Sequence, residues 1–109
     1  MNVHHVALRT HKLARVVRFY RDVLGLRVLR ESPRSTWLAM GRRSILMIER
    51  AEKNEPEIPK GTKEFLCFGV RTKRDVSRFK ARVREIEHET DFTIYFRDPD
   101  GRRVGVSCY

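Results

Sequence analysis

His5-Val6-Ala7-Leu8-Arg9, followed by Phe19-Tyr20-Arg21-Asp22-Val23-Leu24-Gly25-Leu26, decides the fold, because its pattern returns sixty positions later. Val6 is answered by Leu66, Leu8 by Phe68, Val16 by Val76, Arg18 by Arg78, Phe19 by Phe79, Val23 by Val83 and Leu26 by Ile86. Gly41-Arg42-Arg43 aligns in turn with Gly101-Arg102-Arg103, so the spacing predicts two copies of one unit, matched from end to end without a gap.

Each unit reads as a strand, a helix and then further strands. From Val3 to Arg9 the alternation sets Val6 and Leu8 on one face and His5, Ala7 and Arg9 on the other. Thr10 stands where it can cap the helix that follows, and Leu13, Val16, Val17, Tyr20 and Leu24 form an apolar stripe at helical spacing. Gly25 is placed to end that helix in a left-handed conformation. Arg27 to Glu31, Thr36 to Met40 and Ser44 to Glu49 are three short strand candidates, with the Gly41-Arg42 region as the turn between the last two. The unit is therefore βαβββ.

Residues 51–60, with Pro56 and Pro59, read as a linker between a first module at 1–50 and a second at 61–109, the whole forming one domain. The second module opens with a strand from Lys63 to Arg71. Thr72 and Asp75 supply a capping box for a helix carrying Val76, Phe79, Val83 and Ile86. The module is then abbreviated: its second strand is short or missing before Phe92 to Arg97. Asp98-Pro99-Asp100-Gly101 is a type I turn signal, and Arg103 to Cys108 closes the chain as a strand.

Composition narrows the field. At 109 residues the chain supports one modest core, which the two modules share. No apolar run approaches the roughly 18 residues of a membrane span, so a cytoplasmic protein with no membrane partner is expected. Cys67 and Cys108 make no disulfide framework, which fits a reducing compartment. Lysine and arginine number 24 against 14 acidic residues, a net charge of +10 that favours anionic company.

The block His5-Val-Ala-Leu through Phe19-Tyr-x-x-Val-Leu-Gly-Leu, together with Tyr95-Phe-Arg-Asp-Pro-Asp-Gly, resembles the vicinal oxygen chelate superfamily of glyoxalases, bleomycin-resistance proteins and extradiol dioxygenases. The resemblance implies an α+β fold in which two βαβββ modules form an open curved barrel around a pocket, usually in a homodimer. It does not choose among lyases, dioxygenases and non-catalytic binders. In metal-dependent relatives, the resemblance implies a histidine or equivalent on each module's first strand and a glutamate on each last strand, holding a divalent ion that polarises substrate oxygens. His5 occupies the first such position. Phe65 occupies its counterpart, and Gly105 stands where the last-strand glutamate is required. An offset of sixty from Gly105 assigns the fourth position to Ile45.

Glu49 lies four residues beyond Ile45 with the same strand parity, so a register difference brings it toward His5. Two ligands still fall short of the three or more of a tight divalent site, so no cofactor is expected and any metal would rest on His5 and Glu49. The alternative for Glu49 is an arginine-paired strand end, and for His5 a hydrogen-bonded pocket histidine. His4 points to the opposite face, while His11 and His88 fall at helix ends. Alternation places His5, Ala7, Trp37, Ala39, Ile45, Met47, Phe65, Cys67 and Tyr95 inside, with Gly105, giving a mostly apolar interior that reads as either an organic-ligand site or a packed core. Cys67 has no identifiable base, and Cys108 has outward parity.

Three functions remain. The first is a binder of a small organic, anionic ligand with His5 as anchor. The second is a glyoxalase-type lyase or dioxygenase using His5, with or without Glu49. The third is nucleic-acid binding through Arg15, Arg18 and Arg21 on the first helix, Arg74, Arg78, Arg82 and Arg84 on the second, and the Arg-Arg turns; it lacks a reading motif or interleaved aromatics and is disfavoured.

Overall fold

The computed structural model describes residues 1–109 and separates into two compact units, Met1–Glu57 and Ile58–Tyr109. In the first unit the order is β1 (His5–Thr10), α1 (Leu13–Asp22), β2 (Val28–Glu31), β3 (Ser35–Ala39) and β4 (Ile45–Arg50). The second repeats it with β5 (Phe65–Gly69), α2 (Lys73–Arg82), β6 (His88–Glu89), β7 (Thr93–Arg97) and β8 (Arg103–Ser107). Each unit is therefore βαβββ. The two four-stranded sheets run β1-β4-β3-β2 and β5-β8-β7-β6, and neither closes on itself into a barrel.

The first and last strands of each unit pair in parallel, β1 with β4 and β5 with β8, while the other pairs are antiparallel. A parallel pair needs a long crossover, and the helix supplies it. In the first unit the stripe Leu13, Val16, Val17, Tyr20 and Leu24 is buried together with Leu38, Leu46 and Ile48 of the sheet. In the second, Val76 is the buried residue of α2, and Ile94, Phe96, Val104 and Val106 are the buried residues of the sheet. Burial alternates along β3 and along β4 as far as Glu49, so one face of the first sheet packs under its helix and the other is left for other use.

The helix ends differ from each other for local reasons. Gly25 takes φ +69° after α1, as a left-handed terminator. Thr10 does not cap α1: its Oγ1 accepts from the Lys12 N–H at 3.0 Å, a tight turn that comes before the first helical residue, and Lys12 holds the cap position without a side-chain bond. At α2 the capping box forms in full, Thr72 Oγ1 accepting from Asp75 N and Asp75 Oδ2 from Thr72 N, both at 3.1 Å. The helix stops at Arg82, so Val83 is already extended and Ile86 lies beyond it. No helix is long and apolar enough to cross a membrane.

The expected linker carries no strand or helix, yet its first part is tied down. Ala51 N donates to Thr10 O at 2.8 Å, and Arg9 holds the Glu55 carboxylate through Nη2 at 2.8 Å and Nε at 3.1 Å.

The repeat holds at sixty through the helices and then slips. His5 pairs with Ile45, whereas Phe65, which answers to His5, pairs with Arg103. From β3 onward the offset is therefore 58, since 103 less 45 is 58, because the segment joining α2 to β7 is two residues shorter than the one joining α1 to β3 (93 less 82 against 35 less 22). The whole loss falls on the abbreviated strand, and β6 is left with two residues. The apparent match of Gly41-Arg-Arg with Gly101-Arg-Arg is thus not a structural one.

Replacing Thr72 by Ala removes the α2 cap and is expected to cost about 1 kcal/mol. A urea titration in which the midpoint falls with an unchanged slope checks it.

Candidate functional site

The helix-free face of the first sheet carries most of the residues that alternation selects. Cross-strand register aligns His5 with Ile45 and Ala39, Ala7 with Met47 and Trp37, and Arg9 with Glu49 and Ser35. Arg30, reaching from the neighbouring strand, sets its guanidinium 5.1 Å from the centre of the Trp37 ring. His5 is exposed, and its Nδ1 lies 2.9 Å from His4 Nδ1. One ring must donate and the other accept, so the two imidazoles cannot both be doubly protonated while this bond lasts.

Glu49 does not come to His5. It sits opposite Arg9, four residues along the strand from the partner of His5, about 13 Å at roughly 3.3 Å per residue. Its Oε1 lies 3.4 Å from Arg9 Nη1. Arg9 serves two carboxylates, and the tighter is Glu55. The Arg9 hydrogen bond and the Glu52 backbone N–H hold the Glu55 carboxyl down at about 2, while the hydrogen bond to Glu55 raises Arg9. His11, near the start of α1, has its Nε2 2.7 Å from Glu55 O.

The corrected register also moves the fourth ligand position. Gly105 pairs with Cys67 as Met47 pairs with Ala7, so the residue that answers to Gly105 is Met47, not Ile45. The four positions are then His5, Met47, Phe65 and Gly105. A single imidazole beside a thioether, a phenyl ring and a hydrogen does not make a divalent site, and no group of three or more His, Cys, Asp or Glu side chains is gathered to hold one.

In the second unit those positions have been put to another use. Gly105 stands between Cys67 and Tyr95, and the Phe65 ring leans over it. A Cβ built at Gly105 would meet two Phe65 ring carbons at 3.3 Å and Cys67 Sγ at 3.1 Å, so the missing side chain is replaced by the phenyl ring. Phe65 meets Tyr95 edge to face at 5.1 Å, and His88 stacks on Tyr95 at 5.7 Å. His88 is thus not at a helix end but on β6, directly opposite Tyr95. Cys67 is exposed, and partial desolvation by its neighbours pushes its thiol up. Cys67 and Cys108 are both free.

Arg103 spans this aromatic surface, its guanidinium 4.4 Å from the Tyr95 ring centre and 5.7 Å from that of Phe65. Arg97 lies beside it in the register. Arg97 is fully engaged: Nε and Nη2 donate to Glu87, and Nη1 donates to the Thr62 and Gly101 carbonyls. The Arg97 hydrogen bond is the main cause of a lowered Glu87 carboxyl. With Lys63, these residues line an open cleft of about 640 Å³. The hairpin that positions them is set by Asp98, whose buried carboxylate accepts from Asp100 N, Arg102 N and Arg102 Nη1, with Gly101 at φ +88°.

Sequence parity placed Tyr95, Cys67 and Phe65 on this face but passed over Arg103, two residues before Gly105, and Arg97, two after Tyr95, which share their parity. His88 and Glu87 were hidden by the shortened strand. A further open cleft lies along Val3, Arg42, Arg43 and Ser44, with Ser44 Oγ donating to Val3 O at 2.6 Å. On the helices Arg21 pairs with Asp22, Arg78 with Asp75, and Arg82 lies over Phe79, so part of the basic charge is already matched.

Two sequential βαβββ units, each with a parallel outer pair and one helix-free sheet face, define a paired-module fold. The sequence model of the Glyoxalase/Bleomycin resistance protein/Dioxygenase superfamily matches residues 2–106, and the chain belongs to that superfamily. It is similar to a lactoylglutathione lyase from Agrobacterium tumefaciens, with 27% identity, a TM-score of 0.76, and coverage of 97% of this chain and 92% of that one. A possible glyoxalase from Bacillus cereus has the same fold at a TM-score of 0.82 and 18% identity, each chain covered to 99%. Oxidase ChaP-H2 shares it at 0.75 and 20% identity, over 97% of this chain and 91% of that one. No curated protein matches the sequence.

Two outcomes are expected. Because the Glu55 carboxyl is lowered in the fold, its ion pair contributes fully above about pH 4.5 and is lost as pH falls toward about 2. The stability difference between the parent chain and Glu55→Gln should therefore shrink across that window in urea titrations, and shrink further in high salt. Second, Gly105→Ala should be less favourable with Phe65 present than in a Phe65→Ala background, a coupling of about 0.5–1 kcal/mol in a double-mutant cycle.

Proposed function

We propose that this chain is a ligand-binding member of its superfamily that works without the divalent ion of its metal-dependent relatives and holds a small organic anion. The observation that carries the reading is the set of residues at the four ligand positions: His5, Met47, Phe65 and Gly105. Three of them offer neither imidazole nor carboxylate, and in the second unit the phenyl ring of Phe65 fills the space that a carboxylate at 105 requires. The net charge of +10 supports an anionic ligand, since the summed field draws anions and repels cations. His5 remains as a polar anchor.

A second reading is a glyoxalase-type enzyme, and the likeness to the lactoylglutathione lyase supports it. In that case His5 is the group for proton transfer. Its Nδ1 is committed to His4, so the proton would move at Nε2. Glu49 takes no part, because it faces Arg9.

Metal retention separates the two. The purified chain, reconstituted with excess nickel, zinc, iron or manganese and then desalted, is expected to keep far less than one equivalent. Retention of about one equivalent that His5→Ala loses overturns the metal-free reading, because stoichiometric tight binding requires a built site.

A further inference from the structure

The second unit holds a cation that makes an ion pair and two ring contacts but no hydrogen bond. Arg103 is largely buried, with 14% of its side chain exposed, and its Nε lies 3.0 Å from Glu87 Oε1 without the alignment of a hydrogen bond. Glu87 is already committed to Arg97 through two hydrogen bonds. No hydrogen bond to the protein engages the two terminal nitrogens of Arg103. A guanidinium presents its donors as a planar fork that matches a carboxylate, and burial against aromatic rings holds that fork still before any ligand arrives.

The surroundings define what the fork would grip. Tyr95 and Phe65 lie beneath Arg103, and His88 extends the surface on the far strand. Charge in the cleft is unbalanced, with Lys63, Arg97 and Arg103 facing the single carboxylate of Glu87. Volume sets the scale: about 640 Å³ lies within the range for small organic ligands, roughly 300–1,000 Å³. A bare inorganic anion would use the fork and leave the rings wet. An aliphatic acid would use the fork and gain only apolar contact, whereas a ring can meet Tyr95 and Phe65 in the edge-to-face or offset geometry that aromatic pairs prefer.

We infer that the Lys63–Arg103 cleft of the second unit binds an aromatic monocarboxylate, its carboxylate gripped by the terminal nitrogens of Arg103 and its ring laid against Tyr95 and Phe65. This rests on the ligand-binding reading above and names the class of its ligand. The anchor is then Arg103 rather than His5. Glu87 serves as a positioning residue that keeps Arg97 in place and leaves the Arg103 fork facing outward.

The test uses the full chain and four probes: benzoate, cyclohexanecarboxylate, benzyl alcohol and inorganic phosphate, titrated by calorimetry at about 50 mM salt, where charge-driven binding is strong. Amide shifts in a nitrogen-labelled sample locate the site. Benzoate is expected to bind and to shift residues around 95 and 103, with cyclohexanecarboxylate about fivefold weaker or more, and benzyl alcohol and phosphate without measurable heat. Arg103→Met should weaken benzoate tenfold or more, about 1.4 kcal/mol, and Arg103→Lys by less, because the fork is lost but the charge kept. Should Arg103→Met fail to fold, Tyr95→Leu replaces it, with a loss of the benzoate preference over cyclohexanecarboxylate expected. Equal affinity for the two acids overturns the aromatic class. Benzoate binding that is absent, or unchanged in Arg103→Met, overturns the site. Neither result involves a retained metal, so failure here is separate from failure of the metal-free reading.

Discussion

Parallel pairing of the first and last strands in each unit is the constraint on which the rest depends. Two parallel strands that are hydrogen-bonded neighbours cannot be joined by a tight turn, so the chain must leave the sheet and return, and the amphipathic helix makes that journey over one face. The apolar stripe of α1 and the buried positions of β3 and β4 follow from this, as does the helix-free opposite face. His5 and Met47, and likewise Phe65 and Gly105, lie on adjacent rows despite their distance in sequence only because the first and last strands pair side by side.

The same pairing explains how the two units have diverged. Both helices are ten residues long and both begin eight residues after the start of the first strand, yet only Val76 of α2 is buried where α1 buries four residues. The second helix relies on its capping box and the first on its packing. The two-residue difference after the helix falls wholly on β6 and leaves the β7–β8 pairing regular, because an edge strand contributes no partner on its outer side.

Much of the fold was legible, and for physical reasons. The stripe from Leu13 to Leu24, the Gly25 terminator, the Thr72–Asp75 box and the Asp98 to Gly101 turn are local signals, each set by neighbours a few residues away. Thr10 misled because its hydroxyl bonds the next turn of chain rather than the helix. The repeat misled at its end: Gly41 and Gly101 both take positive φ, at 86° and 88°, but Gly41 is the second residue of its five-residue hairpin loop and Gly101 the fourth of its own. Identical tripeptides therefore sit in different places, and only hydrogen-bond register reveals it. Of the site, strand parity predicted the faces correctly, whereas the state of each side chain depends on partners far along the chain. That Glu49 belongs to Arg9, or that Arg97 is saturated and Arg103 is not, is a property of the folded arrangement alone.

Gly105 bears on the order in which such a chain can change. A carboxylate at that position has no room until Phe65 has moved or been replaced, and Phe65 removed first leaves bare backbone and a gap beside Tyr95. The tolerance of position 105 therefore depends on the residue at 65. What can stand at 105 is thus decided by a residue forty positions away, and the two positions can be exchanged only with regard to each other.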